Sequence, residues 1–550
     1  MTTIEEAIPS EYNEPMTRKD LVQKVKEIAL TFKDLNNRDI TTIIKNAYNT
    51  DIISDIEISN IIKNIKTSIT NLDATPLHIT EMLDVVSNTI LDFNYTDWNA
   101  GKVLGFGSYG VVKIIEKDGE KIAFKEILSR YEGISSDLVR EIGSYAILTA
   151  IGSQNTPRLV GFNFPNTDKS INVDDPDDGL DADTLGFAIE LADTSLDAWI
   201  NQFPKSDEPR YDEGVQERKE LIPEIVDKLL ESLAEIQACG IVNGDIKPDN
   251  MLLWFEKSGP RNGHIKKAAI TDFGLATSFP GIGPHIYTPM YRAPEVWDSQ
   301  RASFASDCWA FGMSIVWVCS QIHYYFDMDK GDNTFNDVEH LPTPDMTRRL
   351  SKYLRPDQVV LINNMISWNP EDRCVRHLLI KFPQRDWTLP TLEQGNTEIT
   401  YKMRSILFSW MAEVCWKYDF HYHTLALAMD IVFRFYNSIS TSKYNRNQLQ
   451  KYGICALLIA ALWGEESIPA TSKFAALSGG VHPEKQIVDS TFEMLYEIHG
   501  LLWVPGLDRI IDTFKDLTKD SKVLRVGWKK IIKYLAPTKE GIILDFSTLI

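Results

Sequence analysis

Apolar residues recur at helical spacing through the first stretch of the chain. Leu21, Val25, Ile28 and Phe32 share one helix face, and Ile58, Ile61, Ile62, Ile65 and Ile69 share another behind the capping box Ser54-x-x-Glu57. No period-two alternation interrupts them, so residues 1–95 are expected to form a helical N-terminal domain. The tetrapeptide IIKN occurs at 43 and 61, too few copies for a solenoid. From 100 to 190 the texture changes to short β-rich segments, GVVKII, KIAFKEI and FAIEL, around a single helical pattern, SSDLVREIGSYAIL. From 221 a helical stripe returns, with Ile222, Val226, Leu229, Leu230, Leu233 and Ile236 on one face and Gly240 where such a helix ends. The segment 381–400, KFPQRDWTLPTLEQGNTEIT, has no period and reads as a linker. Beyond it come a stripe of Met403, Leu407, Trp410, Met411 and Val414, a second of Leu425, Ala428, Met429, Val432, Phe435 and Tyr436, and the apolar run LQKYGICALLIAALWGEE. Basic and apolar residues alternate from Lys515 to Lys533, which reads as a solvated helix face or as a docking helix for an acidic partner.

At 550 residues the chain exceeds what one core organises, and about three domains are expected. A hydrophobic fraction of 43% excludes wholesale disorder. The net charge of -20 argues against binding nucleic acid, whose phosphates need clustered Lys and Arg, and it is compatible with a basic peptide substrate. The longest apolar runs, 308–319 and 454–463, are shorter than the roughly 18 to 20 residues a membrane span needs. The acidic start MTTIEEAIPSEYNEP lacks the features of a secretory signal. The expectation is a protein inside a cell, in cytoplasm or nucleus, without membrane contact. Six cysteines are scattered without C-x-x-C spacing, so neither zinc nor disulfides are implied.

Leu104-Gly105-Phe106-Gly107-Ser108-Tyr109-Gly110 sets three glycines at G-x-G-x-x-G spacing between predicted strands, where missing side chains let backbone N–H groups approach phosphate oxygens. A dinucleotide fold would open a helix at the third glycine; strand-like VVKII follows instead. Lys125, in IAFKEI, has an apolar neighbourhood that would hold an ammonium near phosphates, and Glu141 stands on the lobe's helix to orient it. Alone, each would be an ordinary surface residue. Then come Asn243-Gly244-Asp245-Ile246-Lys247-Pro248-Asp249-Asn250 and Asp272-Phe273-Gly274. One carboxylate has to accept or orient the proton of an attacking hydroxyl, Lys247 can neutralise a transferred phosphoryl group, and Asn250 and Asp272 offer hard oxygens to magnesium. The acidic run DDPDDGLDAD at 174–183 reads as a solvated loop, because Pro176 and Leu185 stand where a calcium loop needs oxygen donors.

In this order the motifs resemble a eukaryotic-type protein kinase over about residues 100 to 385. The resemblance implies an α+β, bilobal fold with a β-rich N-lobe and a helical C-lobe, ATP and Mg2+ as cofactors, and a protein substrate. It implies catalytic roles for Asp245, Lys247, Lys125 and Glu141, and metal ligation by Asn250 and Asp272. Around the nucleotide it implies Gly105, Phe106, Gly107, Ser108, Tyr109, Gly110, Val112, Ala123, Lys125, Glu190 and Ala192, with Ile189 as gatekeeper of the hinge. Ala293-Pro294-Glu295, Asp307 in SDCWAFG and Arg373 in WNPEDR also match, and Glu295 is expected to pair with Arg373. Ser108 and Tyr109 match positions of inhibitory phosphates in related kinases.

Met403-Arg404, Leu407, Trp410, Glu413-Val414, Thr424-Leu425 and Asp430 resemble a cyclin box, an all-α domain. Ser409 and Leu462 depart from its pattern, Leu462 standing where the family has a Lys that contacts the kinase helix, and Glu493 matches the other contact. In that family the cyclin packs on the helix bearing the active-site Glu, and Arg140-Glu141-Ile142 here ends like a cyclin-dependent kinase helix. The expected division is a helical domain at 1–95, a kinase domain at 96–385, a linker at 386–400, a cyclin-like domain at 401–520 and a basic helical tail at 521–550. The expected function is a Ser/Thr kinase with an intramolecular cyclin-like activator, similar to kinase–cyclin fusions of large DNA viruses and then at work in a host cell. The alternative is a catalytically inactive scaffold that binds partner proteins.

Asn243-Gly244 replaces the family's His-Arg, and Thr277 stands where related kinases carry another phosphate-binding Arg. Of that phosphate-gripping cluster only Arg140 is left. Activity is therefore expected to need no activation-loop phosphate. Phosphatase treatment of the purified protein should leave turnover unchanged, and a large loss would contradict the reading.

Overall fold

The β-rich segments pair as a five-stranded antiparallel sheet in the computed structural model, which describes residues 93–106, 110–127, 134–164, 184–203, 211–256, 264–277, 288–299, 302–320, 346–373, 399–437 and 446–502. The expected N-terminal helices, the acidic run at 174–183, the linker as far as residue 398 and the basic tail lie outside these residues, as do Gly107, Ser108 and Tyr109. Strands β1 (Asn99–Phe106), β2 (Gly110–Lys117), β3 (Glu120–Ile127), β4 (Leu159–Asn163) and β5 (Gly186–Glu190) lie in the order β1-β2-β3-β5-β4. β2 and β3 stay in unbroken register from Gly110 opposite Ile127 to Lys117 opposite Glu120. Their connection is Asp118-Gly119, with φ of 51° and 84°, the backbone whose twist matches the flanking strands. A Cβ on Gly110 would fall 2.2 Å from the Glu126 carbonyl oxygen, so strand packing alone requires the last glycine of the loop motif.

Tyr95 stacks on Phe124 at 4.3 Å between ring centres, and Phe93, Trp98, Ile115 and Ile122 complete the cluster. Phe93 and Tyr95, just before the boundary expected at 95, thus pack on this sheet. Burying large aromatics on the sheet is worth more than ending the preceding segment early.

Helix α1 (Ser136–Ala150) is capped by Ser135, whose hydroxyl accepts from the Leu138 amide, and its residues from Leu138 to Leu148 are all buried. An amphipathic helix would keep a polar stripe in water. This one is covered on one side by β4 and on another by the C-terminal helices. The connector after β5 leads to a small sheet of β6 (Thr194–Ser195), β7 (Met251–Phe255) and β8 (Ile265–Ile270), with α2 (Leu196–Ile200) following β6 and packed on β6 and β7. In α3 (Tyr211–Ala238) the predicted stripe of Ile222, Val226, Leu229, Leu230, Leu233 and Ile236 is buried, and Gly240 closes the helix at a φ of 77°. The lobe is completed by α4 (Pro294–Ser299), the almost wholly buried α5 (Phe304–Ser320), α6 (Thr347–Leu350) and α7 (Pro356–Met365).

Five more helices follow among the described residues: α8 (Tyr401–Tyr418), α9 (Tyr422–Asn437), α10 (Leu449–Gly464), α11 (Thr471–Ala476) and α12 (Glu484–Glu497). Every residue of α10 except Gln450 is buried, as a helix apolar on all sides must be. It packs on α9 and α12 and also on α1. Ile399 is buried and the Thr400 hydroxyl caps α8, so the last two residues of the expected linker belong to the bundle. No described helix is long and apolar enough to cross a membrane.

Replacing Tyr95 with Ala should lower the unfolding free energy by about 3 kcal/mol, because the Phe124 face would be left against a cavity. Denaturant titration of the purified variant measures it.

Candidate active site

Lys125 points from β3 to α1, where its Nζ lies 2.7 Å from Glu141 Oε1 and 3.3 Å from Asp272 Oδ1. Only 2% of the Glu141 side chain is exposed. Burial works against the Lys125 charge, but Glu141 and Asp272 outweigh it and hold the ammonium above its ordinary value. Burial pushes the Glu141 carboxyl up, and Lys125 opposes that rise. Lysine remains the stronger base of the two, so the proton stays on Nζ. Asp272 is partly buried, and the neighbouring Lys125 charge outweighs its desolvation and keeps its carboxyl below the usual range.

Asp307, fully buried at the start of α5, holds the loop that carries Asp245. Its two carboxylate oxygens accept from the amides of Asn243 at 2.7 Å and Gly244 at 3.1 Å. The Asn243 side chain then ties two parts of the site together: its amide donates to the Asp272 carbonyl at 3.1 Å, and its oxygen accepts from the Asp245 amide at 3.0 Å. Asn250 donates to the carbonyl and the carboxylate of Asp245, at 2.9 and 3.1 Å. Lys247 Nζ lies 2.6 Å from Asp245 Oδ2, and Thr288 donates to Asp245 Oδ1 at 3.1 Å while accepting from Lys247 at 3.3 Å. Lysine, threonine and asparagine thus fix the Asp245 carboxylate from three directions.

Asp272 sits at a φ of 60°, a left-handed backbone that Asp tolerates better than most residues. Next to it Phe273 is buried edge-on against Tyr145, with ring centres 5.0 Å apart. Tyr145, one turn beyond Glu141 on α1, also shares a 2.6 Å hydrogen bond with Thr271. Past this point Thr277 pairs with Val242 through two backbone hydrogen bonds of 2.8 and 2.9 Å. The position read as a lost phosphate ligand therefore anchors one strand-like segment on another.

The hinge residue Glu190 ends β5, and its carboxylate binds Lys267 at 2.7 Å. Trp254 Nε1 holds the Leu191 carbonyl at 2.8 Å, and Ala192 follows in the same connector. Val112 pairs with Lys125 across β2 and β3, and Ala123 pairs with Ile189, so the sheet gathers these four positions beside Glu190. Gly105 and the 81% exposed Phe106 end β1 at the same edge. Far from the reacting groups, Arg373 and Glu295 form the expected pair, at 2.8 and 3.0 Å, and the Arg373 side chain is fully buried.

Arg140 departs from expectation. Read as the remnant of a phosphate grip, it instead donates to the carbonyl oxygens of Trp463 at 3.4 Å and Glu465 at 3.1 Å, at the C-terminal end of α10. Carbonyls at a helix C-terminus carry the negative end of its dipole, which favours a guanidinium there. The Glu465 carboxylate in turn accepts from the His421 amide at 2.7 Å and from the Thr424 hydroxyl, which joins this cap to the start of α9. Glu493, expected to face α1, accepts from Tyr452 at 2.6 Å within the bundle. Sequence reasoning missed Thr288, Tyr145 and Trp463. Thr288 lies 43 residues from its partner Asp245 and carries no motif of its own.

Residues 98–383 match the protein kinase domain and residues 378–500 the cyclin N-terminal domain, which takes in the segment read as a linker. Among curated relatives, the chain is 28% identical to "Cyclin-A3-2" of Arabidopsis thaliana over 32% of its own length and 45% of the relative's. It is 30% identical to "Serine/threonine-protein kinase ppk21" of Schizosaccharomyces pombe over 28% of each chain. It is 26% identical to "Mitogen-activated protein kinase kinase kinase 1" of Arabidopsis thaliana, over 55% of this chain and 44% of that one. The chain thus spans less than half the length of each of these relatives.

Replacing Asp307 with Ala strands two buried amides that now share a charged acceptor. The expected cost is about 3 kcal/mol of stability, read by urea unfolding.

Proposed function

The chain belongs to the protein kinase family, joined in one polypeptide to a cyclin N-terminal domain, and we propose that it is a serine/threonine protein kinase with its activator in cis. One observation carries the reading: Glu141, which pairs with Lys125 at 2.7 Å, stands on a helix whose preceding residue, Arg140, is bonded to the end of the cyclin helix α10. A pair buried this deeply has to be held from outside the helix, because desolvation of both charges opposes it.

In this reading Lys125 binds the phosphates of ATP, and Glu141 keeps its ammonium in place. Asp245 accepts or orients the proton of the substrate hydroxyl, and Lys247 balances charge on the group in transit. Thr288 bridges these two side chains and holds both for the incoming hydroxyl. The residues present suit a magnesium ion. The Asn250 amide nitrogen is spent on Asp245, which leaves its oxygen for the metal, and Asp272 is kept ionised with its side chain 40% exposed. When bound there, the ion withdraws charge from the nucleotide phosphates. The Asn243-Gly244 departure does not disarm the site, since Asn243 links the Asp272 backbone to that of Asp245. That link favours an enzyme over an inactive scaffold.

Replacing Asp245 with Asn should reduce phosphoryl transfer from ATP to a protein substrate by about 10²- to 10⁴-fold while leaving ATP binding intact. Radiolabel transfer measures the first and nucleotide titration the second. Transfer that is absent already in the unaltered protein would support the scaffold.

A further inference from the structure

At Gly143 the seam between α1 and the cyclin bundle leaves no room for a side chain. A Cβ built there would lie 2.4, 2.9 and 3.0 Å from Cζ3, Cε3 and Cη2 of Trp463, which is fully buried. Gly143 sits in the middle of a regular helix, where glycine is among the poorest residues and no left-handed backbone requires it. What the position requires is room for an indole. The next residue back makes the converse fit: Ile142 Cγ2 occupies the space where a Cβ on Gly500 would stand, at 2.5 Å. Gly500 is also held at a φ of 66°, which by itself favours glycine, so Gly143 is the position where the fit alone excludes a side chain.

We propose that this match is a pairing key, which restricts the cyclin domain to a kinase helix with glycine at this position, as in its own chain. The inference rests on the cis-activation reading and adds its partner selectivity. A kinase helix with any side chain in place of Gly143 meets the edge of the indole, and Trp463 is fully buried, so the packing around the ring confines it. A cyclin helix with a smaller residue in place of Trp463 leaves the groove over Gly143 unfilled.

The sign of a small substitution separates this from ordinary helix energetics. Gly143→Ala should strengthen an isolated helix. Here it is expected to lower the phosphoryl-transfer rate of the full chain by about tenfold or more and to speed hydrogen exchange in α1 and α10. Trp463→Leu alone should weaken protection in both helices. Gly143→Ala with Trp463→Leu should regain protection and rate to the level of Trp463→Leu alone. A Gly143→Ala chain that keeps native rate and protection would overturn the key, as would a double variant whose losses are the product of the two single ones. If the unaltered chain transfers no phosphoryl group, the kinase reading fails while the exchange experiment still decides the docking.

Discussion

A lysine and a glutamate pulled out of water toward each other form the interaction on which the rest of this molecule turns. The Lys125–Glu141 contact spans a strand and a helix that no backbone hydrogen bond joins, and burial makes each charge costly. α1 is held against the sheet in this arrangement. β4 supplies one wall for that helix, and the cyclin bundle supplies the other. The aromatic rings of Phe162 and Phe164 on the sheet side, facing Tyr496 and Phe492 of the bundle, extend the same contact beyond α1.

Arg140 and Thr277 are both engaged away from any phosphate site. The arginine that would grip an activation-loop phosphate in related kinases is bonded to the carbonyl end of α10, and Thr277 is spent on a backbone pair with Val242. The site is then organised by the hydrogen bonds of Asp307, Asn243 and Thr288. A covalently attached cyclin domain faces its kinase at an effective concentration on the order of millimolar, so even a modest interface is occupied.

Much of the site was legible because phosphoryl transfer needs particular residue types at short spacing. Asp245, Lys247 and Asn250 lie within one loop, and Asp272 follows a single hairpin later. Lys125 and Glu141 were readable from their positions after the glycine motif. Thr288 and Tyr145 were not, because each acts through a partner distant in sequence and their residue types have many other uses. The role of Gly110 was legible for only half its reason: the loop motif explains it by phosphate access, while the sheet shows a carbonyl already in the way of any side chain.

The amino-acid sequence by itself determined the two modules, their order, and the residues that carry charge to the reaction, since periodicity and motif spacing are local properties. Tertiary structure alone decided what Arg140, Gly143 and Trp463 are for. Their meaning lies in a contact across more than 300 residues, where a guanidinium finds carbonyl groups and an indole finds the space above a glycine. Neither match has a local signature, because each half is unremarkable until packing brings the other against it.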